Sequence, residues 1–313
     1  MNNDQVQTTL RPMLVSAGPL RPDSEKYAFE VKWDGFRALV HASPQAVTIA
    51  SRNGYDMTGR YPKLRGLRDA VSTEVLLDGE IVALDADNKP DFATLWFRSK
   101  GSSAGERLCF MTFDVLQLGD ERLIDRPYCE RRRVLEDLSL SGPSWCTPEV
   151  HIGEGQALFS ATKAMGLEGV VAKRLDSRYQ PGVRSRAWVK TKHFQKRTFA
   201  LLGWLPPGEW RVDRGCVVLG LRSSEGIVVS GVVESGYGPD VVEQLPHLTR
   251  PELRALQQPG HVWTGDTPLV GEVKFLEWSP AGGFRHATLV SLTETESPSV
   301  RSPGHVRPTS ALR

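Results

Sequence analysis

The sequence predicts an α+β protein of two domains, a larger domain with a largely antiparallel sheet core and then a small all-β barrel. The chain has 313 residues, more than one typical domain needs. Its first two thirds mix strand-like and helix-like segments, whereas short β-like runs punctuated by Gly and Pro follow residue 195. We therefore expect domains at residues 10–195 and 196–296, a flexible leader at residues 1–9, and a disordered Ser-, Pro- and Arg-rich tail at residues 297–313.

The first domain contains strand patterns that are interrupted by two helix patterns. Alternating or apolar strand segments occupy residues 29–33, 36–41, 47–50, 75–84, 108–116, 170–173 and 188–192. Asp34-Gly35 provides turn chemistry between the first two strands. Pro127 precedes a helix pattern at residues 130–138, and a second helix is predicted at residues 156–165.

The second domain is predicted to consist mainly of five short strands. These strands are residues 199–205, 216–221, 227–234, 271–278 and 286–292, and one short helix is expected at residues 240–245. Five such strands indicate a small barrel, for which the OB-fold is the natural candidate.

Composition limits the class of protein. The sequence contains no apolar run long enough to span a membrane, and its first nine residues are polar without a secretory core, so we expect a cytoplasmic protein. We also expect a monomer. The four cysteines are scattered without a C-x-x-C pair, which indicates neither a zinc site nor a disulfide framework. Net charge is only +2, but basic residues cluster at 131–133 and 190–197. The first cluster fits a solvated surface as well as a binding site, whereas the second could neutralise phosphates.

Lys32 is the candidate nucleophile, in the octet EVKWDGFR at residues 30–37. A lysine nucleophile reacts as the neutral amine, whereas a free lysine titrates at about 10.4. Burial and neighbouring cations favour the neutral form. The candidate cations are Arg37, Arg52, Lys190 and Lys192. Carboxylates at Asp34 and Glu168 act in the opposite direction unless a metal ion neutralises them.

Five further motifs follow the octet in a fixed order. They are SRNG at residues 51–54, LDGEIV at 77–82, FMTFDVL at 110–116, EGVVAKR at 168–174 and WVKTK at 188–192. The series resembles the nucleotidyltransferase motifs of ATP-dependent DNA ligases over roughly residues 10–290. Further segments resemble the compact bacterial ligases of the end-joining type: DF at 91–92 with Arg98, Pro127 with ERR at 130–132, DSRYQPG at 176–182, FLEW at 275–278 and RH at 285–286. The lack of zinc-ligand spacing argues against the larger NAD-dependent ligases, which carry a zinc module.

The resemblance implies a nucleotidyltransferase (adenylation) domain at residues 10–195 and an OB-fold domain at residues 196–296. It also implies that Lys32 attacks the α-phosphate of ATP, that AMP passes to a 5′-phosphate of nicked DNA, and that a 3′-hydroxyl then displaces it. The implied nucleotide contacts are Glu30 to the adenine amino group, Arg37 and Arg52 to ribose or terminal phosphates, Glu80 to the ribose hydroxyls, Phe113 to the adenine face, and Lys190 and Lys192 to the α-phosphate. Glu168 would bind Mg²⁺ (or Mn²⁺), and Lys173, Lys196, Arg197 and Arg285 would contact nucleotide or DNA phosphates.

Two of these assignments also have an interpretation from the residues alone. An aromatic residue in an apolar strand, such as Phe113, is ordinarily a core residue. Lys190 and Lys192 alternate onto one face of a strand, and two like charges on one face favour a bound anion.

The final motif departs from the family. The resemblance calls for Arg-His-Pro and then a basic stretch that orients the pyrophosphate, but Ala287 replaces the proline and residues 293–296 read TETE. This departure leaves open a nick- or end-binding protein that has lost catalysis. RNA ligases and capping guanylyltransferases share the lysine motif, so these two enzyme classes stay open as well. The expected partners are nicked or broken double-stranded DNA, with a separate repair polymerase or end-binding protein, and no membrane.

Overall fold

The computed structural model describes residues 10–91, 95, 107–210, 213–224, 226–258, 261–263, 269–276 and 283–294. The predicted leader and tail lie outside these residues, as do Phe92, Arg98 and Trp278. The chain divides into two compact units, residues 1–193 and 194–313. The predicted boundary lay two residues further along the chain.

Over the residues that the structure describes, the elements of the first unit (residues 1–193) with defined bounds are strands, two short 3₁₀ helices and two α-helices. Its strands are β1 (Leu14–Ala17), β2 (Tyr27–Val31), β3 (Phe36–Ala42), β4 (Val47–Ser51), β5 (Val75–Leu84), β6 (Arg107–Leu118), β7 (Glu121–Arg122), β8 (Ser141–Gly142), β9 (Trp145–Cys146), β10 (His151–Ile152), β11 (Gly169–Arg174) and β12 (Arg184–Lys192). Its helices are the 3₁₀ helices Thr58–Arg60 and Pro62–Asp69 and the α-helices α1 (Tyr128–Asp137) and α2 (Gly155–Ala164).

These strands form two sheets. The first sheet has the order β1-β12-β11-β2-β10, and the second has the order β4-β3-β5-β6-β9-β8 with β7 paired to β6. Strand pairing is antiparallel except for β1 with β12 and β6 with β9. The prediction of a largely antiparallel sheet core is therefore confirmed, and the predicted strand at residues 75–84 matches β5.

Side-chain alternation gives each sheet one buried apolar face. On the first sheet, Phe29, Val170 and Ala172 pack with Leu158 of α2. On the second sheet, alternate residues of β3, β5 and β6 form a core with the 3₁₀ helix Pro62–Asp69. Because successive strand residues point to opposite faces, the polar residues between these positions collect on the other face of each sheet.

In the described part of the second unit (residues 194–313) there are one sheet and two short helices. Its elements are β13 (Gln195–Leu205), β14 (Cys216–Ser223), β15 (Gly226–Val233), α3 (Pro239–Val242), α4 (Arg250–Leu256), β16 (Leu269–Phe275) and β17 (Thr288–Glu294). The sheet order is β15-β14-β13-β16-β17. The five strands and one of the helices were predicted. Within the described residues, the edge strands β15 and β17 do not pair, so these strands do not close into a barrel.

Helix α4 was not predicted. Thr249 caps it in a reciprocal arrangement with Glu252, and Pro251 occupies its first turn.

Among the described residues, no helix is long and apolar enough to cross a membrane.

Candidate active site

A cleft in the first unit receives side chains from both sheets. The space between its walls is about 430 Å³, a volume that includes the part of the mouth open to solvent. Six of the predicted site residues line it: Glu30, Lys32, Arg37, Glu80, Phe113 and Lys173. Arg52 lies exposed in the turn after β4 and does not line the cleft.

The register of the first sheet explains how distant motifs meet. Val171 of β11 lies opposite Glu30 of β2 on one side and opposite Lys190 of β12 on the other. Residues that oppose each other across neighbouring strands share a face, and so do residues two apart in a strand. Glu30, Lys173, Lys190 and Lys192 therefore lie on one face. The alternation in the sequence predicted this for Lys190 and Lys192.

Lys32 follows β2 directly and forms an ion pair with a carboxylate. Its Nζ donates to Oε2 of Glu168, and Nζ of Lys192 lies 2.6 Å from Oε1 of the same carboxylate. Burial alone would raise the pKa of Glu168, but the ammonium groups of Lys32 and Lys192 lower it. Of the two lysines predicted to share a face, Lys192 is therefore paired with the protein's own Glu168.

Gly169 makes this ion pair possible. Its φ is +147°, and a Cβ at this position would lie 2.1 Å from the carbonyl oxygen of Thr191. Only glycine tolerates both the conformation and the close approach of β12. The Glu-Gly pair in the motif is therefore a geometric requirement, since it brings Glu168 beside Lys192.

Lys190 is half-buried near this cluster. Burial, together with the ammonium groups of Lys192 and Lys32, lowers its pKa. An anionic ligand at this position would relieve the repulsion between these cations.

Arg37 of β3 is fixed by a buried aspartate of the second sheet. Its Nε and Nη2 donate to Oδ1 and Oδ2 of Asp78 at 2.5 Å and 2.7 Å, and the hydroxyl of Tyr179 donates to Oδ2 of Asp78 at 2.6 Å. The guanidinium lies 4.5 Å from the centre of the Phe113 ring. Asp78 raises the pKa of Arg37, although burial opposes it. Sequence reasoning missed this partner, although a charged residue inside an apolar strand was the available signal.

Glu80 lies opposite Arg37 in the register of β3 and β5. The pairing of β5 with β6 has a bulge between Asp78 and Gly79, directly before Glu80. Burial raises the pKa of Glu80 to about 7, against the opposing effects of Arg37 and Lys32. Nearby Asp34 and Asp78 raise it further.

Glu30 and Lys173 form a buried ion pair. Nζ of Lys173 lies 2.7 Å from Oε1 of Glu30, and the hydroxyl of Tyr128 donates to the same oxygen. Burial lowers the pKa of Lys173, although Glu30 opposes this effect. Sequence reasoning did not find Tyr128, because nothing local to α1 indicates a partner on β2.

The arginine triplet at residues 131–133 is mostly buried. Arg131 makes a two-pronged contact with Asp114 at 2.8 Å for both hydrogen bonds, and both side chains are fully buried. Arg132 is also buried and donates to Glu136, whereas Arg133 is exposed. The solvated-surface interpretation therefore holds for Arg133 alone.

The predicted phosphate-binding residues of the second unit do not form one row. Lys196 and Arg197 are consecutive in β13, so they point to opposite faces of the sheet. Lys196 is exposed and its Nζ lies 2.7 Å from Oε1 of Glu272. The backbone carbonyl of Arg285 accepts from the amide of Leu276 at 3.0 Å. The side chains of residues 293–296 lie outside the described part of the chain.

Glu168 could hold a magnesium ion that is also bound by the phosphates of a nucleotide. Carboxylate oxygens are ligands that Mg²⁺ prefers, and Mg²⁺ is often held by one or two carboxylates together with substrate phosphates. Within the described residues, no group of three His, Cys, Asp or Glu side chains could hold a metal. Glu168 therefore fits an ion that arrives with a nucleotide rather than one in a cage of protein ligands.

The chain is similar to proteins of known family. The family model for the ATP dependent DNA ligase domain matches residues 5–192. The chain is 35% identical over 303 residues to the multifunctional non-homologous end joining DNA repair protein LigD of Mycobacterium tuberculosis, a match that covers 93% of this chain and 39% of that protein. It is 30% identical over 297 residues to DNA ligase C1 of Mycolicibacterium smegmatis, covering 88% of this chain and 81% of that protein.

A solved structure is similar as well. The structure of mycobacterial DNA ligase D complexed with ATP and MES has a TM-score of 0.58 to this chain at 32% identity. The match covers 94% of this chain and 98% of that chain.

Proposed function

Because the chain belongs to the ATP-dependent DNA ligases, we propose that it seals nicks in double-stranded DNA through an AMP group carried on Lys32. The observation that carries this proposal is the position of Lys32. It lines a cleft together with Glu30, Arg37 and Glu80 and is ion-paired with Glu168 at the same time.

The first step forms the lysyl-AMP bond. Nζ of Lys32 attacks the α-phosphorus of ATP, the bond to the β-phosphate oxygen breaks, and pyrophosphate leaves. Lys190 and Lys192 stabilise the charge that develops on the α-phosphate. Phe113 offers an adenine-stacking face, and Glu80 offers acceptors to the ribose hydroxyls.

The ion pair with Glu168 must open before this attack. In this structure Glu168 binds the ammonium groups of Lys32 and Lys192, and the amine of Lys32 is nucleophilic only without its extra proton. Magnesium, when bound, neutralises phosphate charge, and Glu168 is the residue that would hold it.

The later steps use the same cleft. AMP moves from Lys32 to the 5′-phosphate at the nick, which restores the free amine, and the 3′-hydroxyl then displaces AMP to close the backbone. Cations that would contact the DNA phosphates are Lys196, Arg197 and Arg285.

The biological setting is part of the same proposal. The chain spans 39% of the LigD relative, whose name places that protein in non-homologous end joining. We propose that this chain provides the ligation step in the repair of broken DNA ends. The partners proposed for this step are an end-binding protein and a repair polymerase.

A sealing assay tests the proposal. A nicked duplex with a labelled 5′-phosphate, incubated with ATP and magnesium, should be sealed by the wild type and by Lys63→Ala, whose lysine is exposed outside the cleft. Lys32→Ala should seal nothing. Nick binding without sealing by the wild type would support a protein that has lost catalysis. Preference for GTP would indicate a capping enzyme, and preference for an RNA strand would indicate an RNA ligase.

A further inference from the structure

We infer that Lys173 and Tyr128 are positioning residues that hold the carboxylate of Glu30 for recognition of the adenine base. In this arrangement they set the preference for ATP over nucleotides without an amino group at position 6. The inference rests on the proposed function, since it concerns how the same cleft selects its nucleotide.

The two donors converge on one oxygen of Glu30. Nζ of Lys173 lies 2.7 Å from Oε1, and the Tyr128 hydroxyl donates to Oε1 as well. Glu30 is only 5% exposed and nevertheless lines the cleft. The structure gives Oε2 no hydrogen-bond partner among the residues that it describes. Oε2 is therefore the acceptor that remains for a ligand.

Lys173 is enclosed by aromatic side chains. It is 2% exposed, and its Nζ lies 4.3 Å from the ring centre of Phe113, 4.4 Å from that of Trp188 and 4.9 Å from that of Tyr128. Its Nζ also donates to the carbonyl oxygen of Phe113 at 3.3 Å. Aromatic faces stabilise a desolvated ammonium, and the buried charge is balanced by Glu30. Because it is enclosed in this way, Lys173 has the carboxylate of Glu30 as its anionic partner, and it would not contact a nucleotide or DNA phosphate.

The chemistry of the base decides what such a carboxylate accepts. An ionised carboxylate only accepts hydrogen bonds. The 6-amino group of adenine donates, whereas the 6-carbonyl of guanine presents an acceptor to the same oxygen. Because Lys173 and Tyr128 hold Oε1, the carboxylate has one fixed orientation toward the base. A loss of either donor should weaken recognition of the amino group in particular.

Tyr128 provides the sharper test of this idea. It is fully buried and, unlike Lys173, does not line the cleft. Tyr128→Phe removes one oxygen atom, so any change in nucleotide preference must act through Glu30. Tyr179→Phe is the matched control, because Tyr179 is also a buried tyrosine but its hydroxyl donates to Asp78.

The experiment compares ATP with purine riboside triphosphate, which lacks the 6-amino group. The measured reaction is covalent transfer of the nucleoside monophosphate from each triphosphate to the protein. For the wild type we expect kcat/KM of this reaction to be roughly 10- to 100-fold higher with ATP, the range for a hydrogen bond to a charged group. The preference should fall to about threefold or less in Lys173→Met, which keeps an unbranched side chain among the rings, and should fall partly in Tyr128→Phe. The loss should be in KM for ATP. In Tyr179→Phe the preference should remain that of the wild type.

Other outcomes overturn the inference. An equal loss with both nucleotides in Lys173→Met and Tyr128→Phe would mean that the two residues are only structural. A Lys173→Met defect that appears in calorimetric binding of ATP but not of adenosine would mean that Lys173 contacts phosphate. If the wild type takes up no nucleotide covalently, the proposed function fails, and calorimetric binding of the two triphosphates still decides the role of Lys173 and Tyr128.

Discussion

Breaking the buried ion pair between Arg131 and Asp114 should be one of the most destabilising single changes in the first unit. Arg131 makes two hydrogen bonds to the carboxylate at 2.8 Å and donates to the carbonyls of Arg126 and Ser177 at 2.7 Å and 3.0 Å. Arg131→Met leaves the carboxylate of Asp114 fully buried, with the hydrogen bond that it accepts from the backbone amide of Val115 at 3.0 Å.

The magnitude follows from the cost of an unpaired buried charge. Removal of one partner of such a pair costs about 3–5 kcal/mol, whereas replacement of both by apolar groups is often neutral. Arg131→Met and Asp114→Leu should therefore each cost about 3–5 kcal/mol. In the double variant the free energy of unfolding should fall by about 2 kcal/mol, because the carbonyls of Arg126 and Ser177 each lose a hydrogen bond worth about 1 kcal/mol.

The assay must report on the first unit alone. Urea unfolding followed by hydrogen exchange of peptides from β6 gives the free energy of unfolding for the strand that carries Asp114. The double variant should be more stable than either single variant. If the two single costs simply add in the double variant, the residues are not energetically coupled and the reasoning is wrong.

Three further predictions concern the cleft and the last motif. Lys190→Ala should slow AMP uptake by the protein roughly 10²-fold, as expected for the loss of one positioned charge-stabilising donor. Lys196→Ala should instead weaken DNA binding and flatten its salt dependence. If both variants have equal small effects in both assays, the basic run is only a solvated surface. Because burial raises the pKa of Glu80 to about 7, its carboxylate becomes ionised as pH rises through that value. KM for ATP should therefore fall as pH rises across about 7 in the wild type and should not change with pH in Glu80→Gln. Identical dependences of KM on pH in the two proteins would exclude Glu80 as the titrating group. A nick with a pre-adenylated 5′-phosphate should be sealed faster than the same nick with ATP, and Thr293→Arg with Glu296→Lys should narrow the gap; no gap in the wild type would mean that another residue handles pyrophosphate.

Local pattern was sufficient where one physical rule decides the structure. The ten apolar-rich residues of β5 were predicted to the residue, and period-2 alternation placed Lys190 and Lys192 on one face. Helix α4 could have been predicted, since Thr249, Pro251 and Glu252 form a helix-start signal. The apolar part of that helix is short, and this weakened the signal.

Long-range pairing was not predictable from one sequence. Arg131 looks like surface in a run of arginines, and its partners Asp114 and Ser177 lie 17 and 46 residues away. The same holds for Tyr128 and Glu30, which are 98 residues apart. The motifs indicated which residues meet in the cleft, but the partner that each charge takes depends on tertiary packing.

The most direct test of the account is to locate the AMP group. The wild type, incubated with α-labelled ATP and magnesium, should take up an acid-labile label, and peptide mapping should place AMP on the peptide that contains Lys32. Lys32→Ala should take up none, and Lys63→Ala should match the wild type. Undiminished labelling of Lys32→Ala, or AMP mapped to another lysine, would contradict the central claim.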